Sequence, residues 1–175
     1  GYDTAKMSIG GTTTGTDAGT YPATFTTGPN YQWPDGSTTA KTVNWIISKA
    51  AGSLTLNKTS MTLSAATLSS TITATRAGNG AISAVSSAPS VASVSVSGNI
   101  ITVTGKAAGS ATITVSVGEG ANYNAPANKT CSVTVTLPTK TLNSNSWATV
   151  KEASDAGTGA NYWAVGDSKS LVLNG

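Results

Sequence analysis

Between Leu54 and Leu137 apolar and hydroxyl-bearing residues alternate almost one for one. The pattern is plain in Ser70-Thr71-Ile72-Thr73-Ala74-Thr75, Val91–Val96, Ile101–Thr104, Ala111–Val117 and Cys131–Leu137. A period of two puts the aliphatic side chains on one face of an extended segment and Thr or Ser on the other, the signature of a half-buried β-strand. Helical periodicity is absent from this region. Ser97-Gly98-Asn99 and Gly78-Asn79-Gly80 supply residues that tolerate positive φ, so both are expected to close hairpins. Seven or eight strands result, enough for two packed sheets. Cys131 shares a face with Val133, Val135 and Leu137, where an unpaired thiol serves as a small hydrophobe.

Two motifs inside this region carry a family resemblance. Ser87-Ala88-Pro89-Ser90-Val91-Ala92-Ser93-Val94 is followed by Gly105-Lys106-Ala107-Ala108-Gly109-Ser110-Ala111-Thr112-Ile113-Thr114-Val115. In this order and spacing they resemble the bacterial Ig-like group 2 family over roughly residues 53–137, and Leu54–Thr59 fits that family's first strand. The resemblance implies an immunoglobulin-like β-sandwich used as a spacer or adhesion module on bacterial surfaces and phage virions, with no catalytic motif to carry over. The expected class is therefore all-β: a sandwich over 51–137 with partial modules on either side.

The preceding segment, 1–50, reads as part of another β module. Asp17-Ala18-Gly19-Thr20-Tyr21-Pro22-Ala23 resembles the Asp-x-Gly-x-Tyr-x-Cys corner of Ig domains, with Ala23 in the Cys position. There a Tyr at the start of a late strand hydrogen-bonds back to nearby backbone, which assigns Tyr21 a structural role. Tyr21, Ala23 and Phe25 share one face, and Val43, Trp45 and Ile47 share a face of the next strand. Only Lys6–Ile9 remains as an earlier strand, and three strands do not close a sandwich. The expectation is that the first strands of this module lie outside the sequence, or that a neighbouring chain or module pairs with it.

After Leu137-Pro138-Thr139-Lys140 the character changes. Asn145 or Ser146 can cap a short helix over Trp147–Ser154, with Gly157 beyond its end. Two strands are expected at Asn161–Asp167 and Ser170–Leu173, so 138–175 reads as the start of a further small α+β or β module. Asn145–Gly157 together with Tyr162–Asp167 is similar to the opening of a domain found in Firmicute prophage and phage tail-region proteins. Trp45, Trp147 and Trp163 fit core positions.

Composition narrows the chemistry. Charged residues are 10% of the chain, apolar residues 38%, and the net charge is +3 from ten basic and seven acidic groups. That is a globular composition with an uncharged polar surface rather than a disordered one. Arg76 is the single Arg and the lysines form no stripe, which argues against nucleic acid as a partner. No apolar run is long enough for a spanning helix, which argues against membrane insertion, and Gly1–Gly10 is not a signal peptide. Export would need a signal further upstream or another route.

With no His and one Cys, Ser-His-Asp and Cys-His catalysis, the usual zinc sites and internal disulfides are all excluded. The acids Asp3, Asp17, Asp35, Glu119, Glu152, Asp155 and Asp167 are scattered, and only Glu152 and Asp155 are close, as on a solvated helix face. No Asp-x-Asp run marks calcium, although Glu119 or Asp167 could join a carbonyl-rich site. The expectation is no enzyme and no cofactor or metal.

Loop aromatics remain as candidate ligand contacts. Tyr31 and Trp33 lie in Gly28–Gly36 and Tyr123 in the corresponding later loop, Gly118–Lys129. Rings beside Asn and Gln suit sugar faces, or they fold back onto their own strands. The expected function is a structural or adhesion module of a phage tail-associated or virion surface protein. The alternatives are a bacterial cell-surface adhesin repeat or a carbohydrate-binding appendage of a larger enzyme. Its expected partners are a host-surface glycan or protein and neighbouring modules, and its expected setting is the virion or the bacterial exterior.

Overall fold

An extended segment with one aliphatic face needs a second sheet against which to bury it. The computed structural model, which describes residues 3–170, meets that need once in full. Strands β1 (Met7–Gly11), β2 (Gly19–Thr27) and β3 (Lys41–Ile47) form an antiparallel sheet in that order. The two-residue β4 (Ala50–Ala51) then leads into β5 (Ser53–Leu56), β6 (Ser60–Ser64), β7 (Ser69–Ala77) and β8 (Ile82–Ser86). Strands β9 (Ala92–Ser97), β10 (Ile100–Gly105), β11 (Gly109–Val117), the short β12 (Tyr123–Asn124) and β13 (Lys129–Thr136) follow.

Eight of these strands make two four-stranded sheets, ordered β5-β7-β10-β9 and β6-β13-β11-β8. The first is the A-B-E-D order of an immunoglobulin sandwich and the second its G-F-C order with one strand added at the edge. The protein is thus an all-β, immunoglobulin-like sandwich with a further three-stranded sheet ahead of it. Most pairings are antiparallel, but β6 runs parallel to β13 from Ser60↔Ser132 to Ser64↔Thr136, and β4 runs parallel to β12.

The core lies between the sheets. Ile72 and Ala74 of β7 and Ile101 and Val103 of β10 cluster with Ile113 and Val115 of β11, Cys131 and Val133 of β13, and Leu63 of β6, all of them at 1% exposure or less. Each large aliphatic among them contributes roughly 1.5–3 kcal/mol by leaving water. Burial also pushes the Cys131 thiol above its ordinary pKa, so the thiolate form is disfavoured where it sits.

Turn chemistry splits into two cases. Gly98-Asn99 closes the β9–β10 hairpin between Ser97 and Ile100, with positive φ at Gly98 alone, as a turn with glycine in its first central position requires. Gly78-Asn79-Gly80 does not close a hairpin: β7 and β8 belong to different sheets, and this segment carries the chain across the sandwich. Glycine is needed there because a Cβ at Gly80 would lie 1.8 Å from the Gly118 carbonyl oxygen. The first expected strand, Leu54–Thr59, is shorter than expected, since β5 ends at Leu56 and the chain crosses to the opposite sheet, where β6 begins at Ser60.

Beyond β13 the chain forms a small knot around a helix, α1 (Trp147–Asp155). Ser146 caps it, its hydroxyl accepting from the Thr149 N–H at 3.0 Å, and Gly157 follows with φ +67°, the residue and conformation that end helices. Asn145 does different work. Its buried amide donates to the Thr141 carbonyl at 2.9 Å and accepts from the Thr139 N–H at 2.7 Å, tying the linker to the helix start. Two expectations fail here. Trp147 is 51% exposed, so it is not a core residue. Asn161–Asp167 is a helical turn followed by a bend rather than a strand, closed by the Asp167 carboxylate accepting from the Ala164 N–H at 2.8 Å. The strand expected at Ser170–Leu173 falls outside the described residues, apart from Ser170, which is not in a strand.

Replacing Ile113 by Ala should cost about 2–5 kcal/mol in urea denaturation because the cavity cannot collapse between two sheets. Val85→Thr, at a side chain 66% exposed, should stay within about 0.5 kcal/mol. The Cys131 thiol should resist alkylation in the native protein and react as the sandwich unfolds.

Candidate functional site

The loop between β2 and β3 is braced by its own side chains. Trp33-Pro34-Asp35-Gly36 is a turn in which the Gly36 N–H donates to the Trp33 carbonyl at 2.9 Å, with Pro and Gly where such turns favour them. The Asp35 carboxylate accepts from the Ser37 N–H at 2.9 Å and from its hydroxyl at 2.6 Å, and its other oxygen is paired with Lys41. The Lys41 ammonium, followed by the Ser37 donors, holds the Asp35 carboxyl well below the usual carboxylate range. The Trp33 indole N–H donates to the Thr39 carbonyl at 2.8 Å, and the Lys41 ammonium sits 5.6 Å from the ring centre, a cation–π arrangement. Trp33 is therefore folded back and half-buried, while Asn30, Tyr31 and Gln32 stay exposed at the tip, Tyr31 at 43%.

Tyr123 lies elsewhere. As part of β12 it pairs with Ala50, and its side chain packs over Gly78, where a Cβ would come within 3.0 Å of it. It borders a depression of about 280 Å³ between the first sheet and the sandwich, shared with Thr16, Ala18, Ile47 and Asn122. The loop with Tyr31 is at the other end of β2 and β3, roughly 25 Å away at the rise of a nine-residue strand. Tyr31 and Trp33 share one loop; Tyr123 does not join them.

The region around Tyr123 is a junction. The Asn122 side chain accepts from the Ala18 N–H and donates to the Asp17 carboxylate, each at 2.7 Å. The Ala50 N–H donates to the Asn122 carbonyl at 2.8 Å, and Lys49 and Glu119 form an ion pair at 2.7 Å. Tyr21 adds to it from the first sheet. Its hydroxyl donates to the Asp17 carbonyl at 2.7 Å, and its ring stacks on Trp45 with centroids 4.7 Å apart. The Trp45 indole in turn donates to the Thr12 carbonyl at 2.8 Å. Sequence reading singled out Tyr21 and Trp45 but missed Asn122, whose partners are more than 100 residues away in the chain; no local signal points to it.

Glu119 is paired with Lys49 and Asp155 with Lys151, and Asp167 closes a turn. Glu152 and Asp155 border a shallow depression of about 470 Å³ lined otherwise by Ala66, Ala148, Lys151 and Ala156. Among the described residues no three His, Cys, Asp or Glu side chains converge as metal ligands, and no helix is long and apolar enough to cross a membrane.

Comparison with known proteins gives the middle of the chain a family. Residues 51–125 match the bacterial Ig-like domain (group 2); this segment is such a domain, and its last strand, β13, lies beyond the matched residues. No curated protein matches the sequence. Among solved structures the chain is similar to domains 4 and 5 of the S-layer protein SbsC. Identity is 21% over 67% of this chain and 58% of that one, with a TM-score of 0.36. A likeness at that score adds nothing to the assignment, which rests on the strand order and the family match.

In a carboxyl titration followed by NMR, Asp35 should stay ionised well below the ordinary Asp value of about 3.9. Its contribution to stability is therefore present above that value and lost as pH falls through the depressed one; at an exposed group the effect is small. Lys41→Met should move the Asp35 midpoint back toward the ordinary value.

Proposed function

We propose that the chain is a non-catalytic spacing and display element of an outer-surface protein. In this reading the sandwich is the spacer, and the β2–β3 loop presents weak contacts to a host-surface glycan or protein. The observation that carries it is the placement of that loop. Asn30, Tyr31 and Gln32 are exposed at the end of the first sheet farthest from the junction, on a turn stiffened by Asp35, Ser37 and Lys41. A stiff loop loses little conformational freedom on contact, and an aromatic ring between amide side chains offers both apolar area and hydrogen bonds. One such contact is weak; many copies on one particle gain through effective concentration.

The setting we propose is a phage tail-associated or virion surface protein, supported by the similarity of Asn145–Gly157 and Tyr162–Asp167 to phage tail-region domains. The group 2 match over 51–125 also suits a repeat in a bacterial cell-surface adhesin, and the parent reading frame separates the two. Tail-assembly segments support the first; a wall anchor supports the second.

Calorimetric titration of the intact chain with muropeptides and wall teichoic acid fragments should give weak binding that Tyr31→Ala abolishes without changing the circular dichroism. Flat traces with every glycan would remove glycan display by this loop. Undiminished binding in the Tyr31→Ala variant would place the contact elsewhere.

A further inference from the structure

The first sheet and one half of the sandwich are built to the same register. In β1–β2 the partners run from Met7↔Thr27 to Gly11↔Ala23, and in β8–β11 from Ile82↔Val117 to Ser86↔Ile113. In β2–β3 they run from Gly19↔Ile47 to Phe25↔Lys41, and in β11–β13 from Gly109↔Val135 to Val115↔Lys129. Laying Gly19 on Gly109 therefore brings all three pairs of strands into step with no residue inserted in any of them. Strand lengths agree as well, five residues for β1 and β8 and nine for β2 and β11. Since register is set by which face must be buried, the match says that both sheets were shaped for the same kind of burial.

What differs is the cover. Ile113, Val115 and Cys131 are fully buried beneath β7 and β10, whereas of the matching positions only the small Ala23 is buried, Phe25 is half-buried and Val43 is 56% exposed, and Ile9 beside them is 38% exposed. Ile9, Ala23, Phe25 and Trp45 line an open depression of about 230 Å³ in this face. The opposite face carries Thr20, Thr24, Thr42 and Asn44, with Ile46, 67% exposed, as its one large aliphatic side chain.

We infer that the apolar face of β1-β2-β3 is the open inter-sheet face of a second immunoglobulin-like unit. Its occupant is a two-stranded antiparallel cover of the β5–β7 type, alternating aliphatic and hydroxyl residues, carried by the polypeptide on the N-terminal side of β1. The chain's own sandwich supplies the template, because there the same face is covered by strands that precede β8 together with β9 and β10. Only Thr12–Ala18 separates β1 from β2, too short for a β9–β10 pair, and it packs over the Tyr21 and Trp45 end of the face. The cover must then come from the side of β1 that β5–β7 occupy relative to β8. A second copy is the weaker occupant. Three strands about 4.8 Å apart and five to nine residues long present about 300 Å², well short of the roughly 800 Å² per partner of a stable interface.

The probe is a graft of this chain's own Ser53–Ala81 directly before Met7, the spacing with which that segment meets Ile82 in the sandwich. The expected result is at least tenfold slower amide exchange in β2 and β3 and NMR contacts between the graft and Val43, both lost when Val43→Asp is added. Because Val43 is more than half exposed in the ungrafted chain, Val43→Asp alone should leave that chain folded. As a second measurement, a Ser53–Ala77 peptide added in trans at millimolar concentration should shift Ile9 and Val43 signals and spare those of Thr24 and Thr42. A graft that leaves Ile9 and Val43 unchanged overturns the inference, as does peptide binding along the outer edge of β1 or β3. So does an ungrafted chain that sediments as a dimer dispersed by Val43→Asp, since the face would then belong to a second copy.

Discussion

Ile72, Ile101 and Val103 on one sheet meet Ile113, Val115 and Val133 on the other, and the burial of these two rows is the contact on which the other features depend. Branched side chains on a pleated surface have few rotamers and interdigitate well across the roughly 10 Å between sheets. Once both rows are buried, the intervening positions face water, and this chain fills most of them with Thr and Ser, Val85 being an exception. The exterior is therefore hydroxyl-rich and nearly uncharged for structural reasons. It leaves Arg76 and the lysines as isolated charges and explains why charge says little about partners here.

The first sheet does not share that core. It is held by its own Tyr21–Trp45 stack and by the junction, where β3 runs through Ser48 and Lys49 into β4. Asn122 faces Asp17 and Ala18 there, and the Lys49–Glu119 pair closes over it. A Cβ at Gly52 would approach the Asn124 carbonyl oxygen to 2.3 Å, so the two connecting segments lie as close as backbones can. These contacts are polar and short, and they set how the β2–β3 loop is aimed relative to the sandwich.

Alternation made the sandwich strands readable because a period of two in aliphatic and hydroxyl residues has one structural meaning. The Tyr21 bond was legible for a similar reason, its acceptor being four residues upstream. Gly78-Asn79-Gly80 misled because turn chemistry reports a reversal but not which sheet the next strand joins; that is decided by Ile82 and Ala84 pairing with β11. Asn161–Asp167 misled because Tyr162 and Trp163 favour strands in general. Here the Trp163 indole N–H donates to the Thr139 carbonyl at 2.9 Å, drawing the segment into the knot around Asn145. Trp147 sits at the first position of a short helix whose one buried residue is Ala153. Which loop aromatics stand together was likewise beyond sequence reading, since corresponding loops of successive modules lie a module's length apart.

The parallel pairing of β6 with β13 has a mechanical corollary. One strand lies near the entry to the sandwich and the other at its exit, and they point the same way, from Ser60 to Ser64 beside Ser132 to Thr136. Pulling the two ends apart loads that ladder along its length, so its hydrogen bonds resist as a group instead of opening singly like a zip. A domain joined in this way transmits force between its neighbours while its core stays shut.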